Sequence, residues 1–240
     1  MKDYTFGSMA EAHEQVHNAL MDPANSWRYA TFHRQGEKLL AMMEKALNLE
    51  ATEAEMLEAV REFDLQWWLR PIYTSTVSWA LYSKEYVESL QRLLQAVTGR
   101  EHPKVLEVAA GKGLLGSLPN WACTDEWSQA SHVLEMDALA AVEAHKDADV
   151  LFASWLPYTD PVDFALASKW VGEMHKPMII VGEGTGGCTG SERFWGIRDD
   201  TGDRAPTNYQ VVRAYDIEEG FTDVPHWIFI GDSTYACLPL

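Results

Sequence analysis

One acid and three glycines stand close together near the middle of the chain. Residues 105–116 read VLEVAAGKGLLG, in which Glu107 lies within the apolar part and Gly111, Gly113 and Gly116 follow. Glycine lets the backbone come close to a bound molecule. An acid in such a strand can orient the next turn or meet a cationic group, and it can also be purely structural, satisfied by backbone amides. The stretch predicts a ligand-binding turn after a buried strand.

Two more acids follow apolar runs farther along the chain. Asp125 ends the run WACTD with Glu126 beside it, and Asp137 follows SHVLEM. In a doubly wound sheet, ligands bind outside the carboxyl ends of the strands. Each acid taken singly could be a solvated residue at a strand end. Together, and in this order, they predict a carboxylate-lined site.

Two later segments could hold a second molecule at this site. SWLPY begins at Ser154, and GEGTGGCTG has Glu183 at its base. Trp155 and Tyr158 could stack on a flat or cationic molecule, or they could simply form a wall. The glycine-rich segment could be a mobile lid or a flexible connection. Cys188 has no activating partner nearby in the sequence, so it is not expected to be a nucleophile.

The elements that must position these residues alternate along the second half of the chain. Five short apolar runs are typical of strands, and LAAVEAHK and VDFALASKWVGEM between them are typical of helices. Parallel strands need crossovers, so the alternation predicts a doubly wound α/β sheet that is mostly parallel. STYACLPL predicts an antiparallel C-terminal edge strand, in a hairpin with either YQVVRAYDI or HWIFIG. The five runs are KVLEVAA, WACTD, SHVLEMD, DVLFAS and PMIIVGE.

The first hundred residues predict helices from the three- and four-residue spacing of their apolar side chains. Capping-box patterns begin at Ser8 and at Thr52. Pro71 is expected to end the helix that follows the second box. We therefore expect an N-terminal helical cap over residues 1–100 and a sheet domain over residues 101–240.

The motifs, in this order, resemble those of the class I S-adenosylmethionine-dependent methyltransferases over about residues 72–240. That family has an acid and alternating glycines after strand one, an acid on the ribose hydroxyls after strand two, and an acid near the adenine amino group after strand three. A fourth motif follows strand four. Here Ala109 replaces the first glycine. The residues that match are Glu107, Ala109, Gly111, Gly113, Asp125, Glu126, Met136, Asp137, Ala138 and Ser154.

The resemblance implies a Rossmann-like methyltransferase sheet, S-adenosylmethionine as cofactor, and methyl transfer to a small molecule or an unidentified acceptor. Trp155, Tyr158 and Glu183 would position that acceptor. Amino-group methyltransferases carry Asn or Asp where SWLPY begins, and this chain does not, so the motif gives no support for amino-group specificity. The lack of a third closely placed glycine and of a GK[ST] sequence argues against a phosphate cradle.

One departure from the family pattern supports a second hypothesis. Only eleven residues lie between Gly113 and Asp125, so the first crossover must be short. LLGSLPNW within it is a poor helix because glycine and proline are unfavourable in helix interiors. The alternative is therefore a catalytically inactive methyltransferase-like protein that binds a protein partner through its acidic surface.

Composition restricts the partners and the compartment. The formal net charge is −17, so we expect neither nucleic-acid nor membrane binding; the acidity could serve solubility or mimic DNA towards a protein. Three scattered cysteines suit a reducing compartment. There is no basic leader and no apolar run of about 18 residues, so a cytoplasmic protein is expected. The eight histidines show no metal-ligand spacing, and no metal is predicted.

Overall fold

The computed structural model describes residues 8–21, 29–61, 63–128, 130–157, 161–197, 207–228 and 230–240. Tyr158, one of the predicted acceptor-positioning residues, lies outside these ranges. The chain divides into two compact units. The first comprises Met1–Val87 with Pro225–Ile230, and the second comprises Glu88–Val224 with Gly231–Leu240.

Helices make up the regular structure described in the first unit. Both predicted capping boxes are present: Glu11 and Ser8 exchange hydrogen bonds between backbone and side chain, and Thr52 and Glu55 do the same. Each box satisfies amides at a helix N-terminus that have no partner within the helix. The elements are α1 (Met9–Met21), α2 (Tyr29–Ala46), α3 (Glu53–Val60), α4 (Phe63–Thr76) and the start of α5 (Lys84–Thr98).

The prediction that Pro71 ends a helix is wrong. Pro71 lies inside α4, which continues to Thr76. Proline holds φ near the helical value, so the backbone can stay helical at the cost of one hydrogen bond. The hydroxyls of Thr74 and Ser75 donate to the Pro71 and Ile72 carbonyls near the C-terminal end of the helix. These bonds satisfy acceptors that helix ends leave open.

The second unit contains a seven-stranded sheet in the order β3-β2-β1-β4-β5-β7-β6. The first five strands are parallel, as predicted, and the order 3-2-1-4-5 is that of a doubly wound sheet. The strands are β1 (Val105–Val108), β2 (Trp121–Asp125), β3 (Val133–Glu135), β4 (Val150–Ser154), β5 (Met178–Glu183), β6 (Tyr209–Arg213) and β7 (Asp232–Pro239).

The C-terminal strand is antiparallel, as predicted, but β7 is not itself the outermost strand. It pairs with β5 on one side and with β6 on the other. β6 is the predicted run YQVVR, and the long connection 214–231 replaces the expected hairpin. Most of the β7 side chains are buried, whereas β6 is mainly half-exposed. The more exposed strand therefore lies at the edge, where one side faces solvent.

Connections differ between the two sides of the sheet. α6 (Ala138–Ala144) precedes β4, and α7 (Val162–Ala167), continued by a π-helical turn, precedes β5. The β1–β2 connection holds only a 3₁₀ turn at Leu114–Ser117, in agreement with the predicted short crossover.

In the ranges given above, no helix has both the length and the apolar character needed to cross a bilayer.

Candidate functional site

The carboxyl ends of the parallel strands form the edge at which the predicted site residues lie. β1 pairs with β2 on one side and with β4 on the other, so the chain order reverses at β1. Ligands in open α/β sheets bind at such a reversal point. Two groups of residues lie along this edge, one beside β1 to β3 and the other beside β4, β5 and β7.

The turn after β1 folds onto the end of β2. Ala109, Gly111 and Gly113 all have positive φ, at 51°, 57° and 63°. The Gly111 amide donates to Asp125 Oδ2 at 2.8 Å, and the Ala110 amide donates to the Thr124 carbonyl at 3.0 Å. The first two predicted motifs therefore meet in the structure. These amides are already engaged, so the turn does not present them as a phosphate cradle.

Asp125 is the centre of the first group. Its second oxygen, Oδ1, accepts from the Trp127 amide at 2.9 Å, and its carbonyl accepts from the Met136 amide at 2.9 Å. The carboxylate is half-buried, and its neighbour Glu126 is exposed. A carboxylate has about four lone-pair positions, so two amide bonds leave acceptor capacity for hydroxyl donors.

Gly113 and Gly116 are required for packing. A Cβ on Gly113 would lie 2.5 Å from Val133 Cγ2, and one on Gly116 would lie 2.7 Å from Cys123 Sγ. His132 Nε2 also lies 3.0 Å from the Gly113 carbonyl oxygen. The turn therefore packs directly against β2 and the start of β3. This close packing takes the place of a full crossover helix.

Glu107 is a buried acid beneath the turn. It is 3% exposed, and the Cys123 thiol donates to its Oε2 at 3.1 Å. Burial raises the pKa of Glu107 from 4.5 to about 8, and the nearby Asp125 charge adds to this shift. At neutral pH the side chain is therefore mainly protonated and uncharged. It bonds to Cys123 of β2 and does not present a charge to a ligand.

Asp137 begins α6. Its Oδ1 accepts from the Leu139 and Ala140 amides at 2.9 and 3.0 Å, which makes it the N-cap of the helix. Its side chain is exposed, while Met136 and Ala138 beside it pack against the sheet core. The predicted third motif thus has a clear structural use. Its predicted contact with an adenine amino group stays a prediction.

Ser154 and Trp155 follow the core of β4. The Ser154 hydroxyl oxygen is buried with no hydrogen-bond partner in the described part of the chain. Trp155 has a positive φ of 56°, and its amide donates to the Val181 carbonyl at 2.8 Å. Its indole N–H donates to Asp232 Oδ2 at 3.2 Å. The unusual backbone conformation thus accompanies a side-chain bond from the end of β4 to the start of β7.

Glu183 and Asp232 stand directly opposite each other on β5 and β7. Asp232 is 4% exposed and accepts the Trp155 bond. The structure therefore brings Trp155 and Glu183 to one end of the sheet, and their role in positioning an acceptor stays a prediction. Asp232 is not among the residues predicted from the sequence. The available signal is an acid at the start of an antiparallel strand, which lies at the carboxyl edge of the parallel ones.

Glu183 also organises the glycine-rich segment that follows it. Its Oε2 accepts from the Cys188 amide at 2.7 Å, and its carbonyl accepts from the Thr189 hydroxyl at 2.8 Å. Thr189 in turn forms an isolated antiparallel bridge with Pro157. The far end of the segment is therefore bonded to Glu183 and lies against the residues after β4, which favours a bonded connection over a freely moving lid.

No model of a known protein family matches this chain, and no curated protein does either. The assignment of function therefore depends on the geometry of the two groups. Within the part of the chain that the structure describes, no set of three His, Cys, Asp or Glu residues could hold a metal ion. The arrangement offers carboxylates, a buried hydroxyl and an aromatic ring at the carboxyl edge of the sheet.

Proposed function

We propose that the chain is an S-adenosylmethionine-dependent methyltransferase that acts on a small molecule or an acceptor still to be identified. The bond between the Gly111 amide and Asp125 Oδ2 carries this proposal. It joins the turn after β1 to the acid at the end of β2, at the point where the strand order reverses. The antiparallel β7 is also consistent with the sheet that the resemblance implies.

The residues present fit the cofactor in several respects. Asp125 keeps acceptor capacity for ribose hydroxyls, with Glu126 beside it and Asp137 after β3. The engaged amides of the turn disfavour a pyrophosphate, which S-adenosylmethionine does not contain. The Ser154 hydroxyl is buried and unsatisfied in the described structure, and such a group gains free energy from a hydrogen-bonding partner.

S-adenosylmethionine, when bound, would supply a methyl group on a positively charged sulfur. The task of the chain is then to align the acceptor with that methyl group and to exclude water. Alignment of this kind can contribute roughly 7 to 11 kcal/mol to lowering a barrier. Trp155 and Glu183, with Asp232 behind the indole, would hold the acceptor side. Asp125 and the turn would hold the cofactor side.

A second candidate function, protein binding without catalysis, is favoured by the surface beside β3. Trp127 is 65% exposed and Leu134 is 51% exposed. An open cavity of about 650 Å³ lies along the segment that contains Leu134. Exposed apolar side chains next to a concave surface are typical of interaction sites. The short crossover and the acidic charge fit this alternative as well.

Thermal unfolding with and without S-adenosylmethionine or its demethylated product tests the proposal. A ligand at 100 times its dissociation constant should stabilise the native state by about 2.7 kcal/mol. Asp125→Asn should remove most of that stabilisation. Asp147→Asn is the matched control, because Asp147 precedes β4 at the opposite edge of the sheet and is bonded to Lys104.

Two results would contradict the proposal. If neither compound stabilises the wild-type chain, the protein-binding function becomes the better account. If both compounds stabilise Asp125→Asn as well as the wild type, Asp125 does not hold the ribose. The control should keep the full ligand-induced shift in either case.

A further inference from the structure

Asp163 is a carboxylate with no exposed surface, located in the first turn of α7. A buried charge is costly unless hydrogen bonds compensate it. Its Oδ1 accepts from the Ser191 hydroxyl at 2.9 Å and from the Phe164 amide at 2.6 Å. Its Oδ2 accepts from the Ser191 amide. Both oxygens therefore bind Ser191, a residue 28 positions away in the chain.

Ser191 ends a short stretch that lies along the residues after β4. The Gly190 amide donates to the Leu156 carbonyl at 3.4 Å, and Thr189 bridges to Pro157. A bond of 3.4 Å is long, and a single bridge is weak, so neither contact fixes the two segments by itself. The two bonds that Asp163 accepts from Ser191 are shorter, with 2.9 Å between the Ser191 hydroxyl and Oδ1. Together with the Thr189 hydroxyl bond to the Glu183 carbonyl, they restrain this stretch.

We propose that Asp163 is a positioning residue for the segment that begins at Trp155. By holding Ser191, it keeps residues 189–191 against Leu156 and Pro157. These neighbours fix the backbone from which the indole reaches Asp232. The role in acceptor positioning depends on the proposed function, whereas the chain of contacts from Asp163 to Leu156 does not.

Amide hydrogen exchange in the full chain tests this role. Asp163→Asn and Ser191→Ala should each speed exchange at the Trp155 and Leu156 amides by about tenfold, because the local opening becomes less costly. Ser191→Thr keeps a hydroxyl and should restore rates close to wild type. Ser128→Ala is the matched control, since that half-buried hydroxyl bonds to Ala130 and Val133 on the other side of the sheet.

A purely structural role for Asp163 gives a different pattern. Faster exchange confined to residues 189–194 and α7, with Trp155 and Leu156 unchanged, would overturn the proposal. If Asp163→Asn does not fold, Ser191→Ala decides, because it removes only one hydroxyl. Binding of the demethylated product by the wild type is measured in parallel. No binding combined with the predicted exchange pattern would refute the methyltransferase proposal and leave the positioning role intact.

Discussion

The two sides of the sheet hold their site residues in different ways. Beside β1 to β3, the connections are short, and steric fit at Gly113 and Gly116 fixes the turn. Beside β4, β5 and β7, buried carboxylates bind distant backbone and side-chain donors, as Asp163 and Asp232 do. The side beside β1 to β3 should therefore respond most strongly to added volume, and the side beside β4, β5 and β7 to loss of a hydrogen bond.

Gly113→Ala is the most severe test of steric fit on the side beside β1 to β3. The added Cβ meets Val133 at 2.5 Å on a backbone with positive φ, so strain and overpacking should together cost about 3 to 4 kcal/mol. Gly186→Ala is the matched control, because φ is also positive there but nothing lies within 4 Å of the Cβ. It should cost only about 1 kcal/mol. Urea unfolding measures both, and equal costs would show that steric fit does not fix the turn.

Glu107→Gln tests whether the buried acid is neutral. The pKa of Glu107 is about 8 in the folded chain and 4.5 ordinarily, so the native state binds more protons than the unfolded state between these values. The free energy of unfolding should fall there by about 1.4 kcal/mol per pH unit as pH rises. The variant has no proton to lose and should lack this part of the pH dependence.

Urea unfolding of both proteins between about pH 6 and pH 8 makes this comparison. The difference in stability between wild type and Glu107→Gln should change by about 2 kcal/mol over that range. Parallel curves would mean that Glu107 is charged throughout and that the turn lies over a carboxylate.

Trp155→Phe tests the role of hydrogen bonds on the side beside β4, β5 and β7. The change removes the donor to Asp232 and should cost about 1.5 kcal/mol, because hydrogen bonds to charged groups are the stronger kind. Trp195→Phe is its control, since that indole donates to the neutral Thr189 carbonyl at 3.4 Å. A larger loss in the control, measured by thermal unfolding, would remove the special role assigned to the carboxylate.

Ala109→Gly should have the smallest effect. Ala109 is exposed and has φ 51°, a conformation that costs an L-residue about 1 kcal/mol. Glycine relieves this cost but gives the unfolded chain more freedom, so a net gain of about 0.5 kcal/mol is expected. A loss of stability in calorimetry would show that the methyl group makes a favourable contact.

The strands and the helix starts could be predicted from the sequence because their signals are local. Buried parallel strands such as β4 read as continuous apolar runs, and a capping box needs only four residues. The turn after β1 follows from the same local signals, whereas its bond to Asp125, 14 positions away, does not. The placement of β7 between β5 and β6 could not be predicted, because it depends on the relative exposure of two strands joined by a long connection.

Asp163 and Asp232, on the side of β4, β5 and β7, were beyond sequence prediction for a related reason. Asp232 and its partner Trp155 are 77 positions apart, and nothing local marks either acid as a hydrogen-bond acceptor for its distant partner. The neutral state of Glu107 likewise depends on its burial beside Cys123 in the folded sheet. Long-range contacts and burial, which only the folded chain shows, decide the roles of Asp163, Asp232 and Glu107.

A crystal structure of the chain grown with the demethylated product of S-adenosylmethionine tests the central claim most directly. The account predicts the nucleoside at the carboxyl edge of β1, β2 and β4, with ribose oxygens within hydrogen-bond distance of Asp125. A nucleoside bound elsewhere, or an edge closed by the turn with Asp125 bonded only to Gly111 and Trp127, would contradict it.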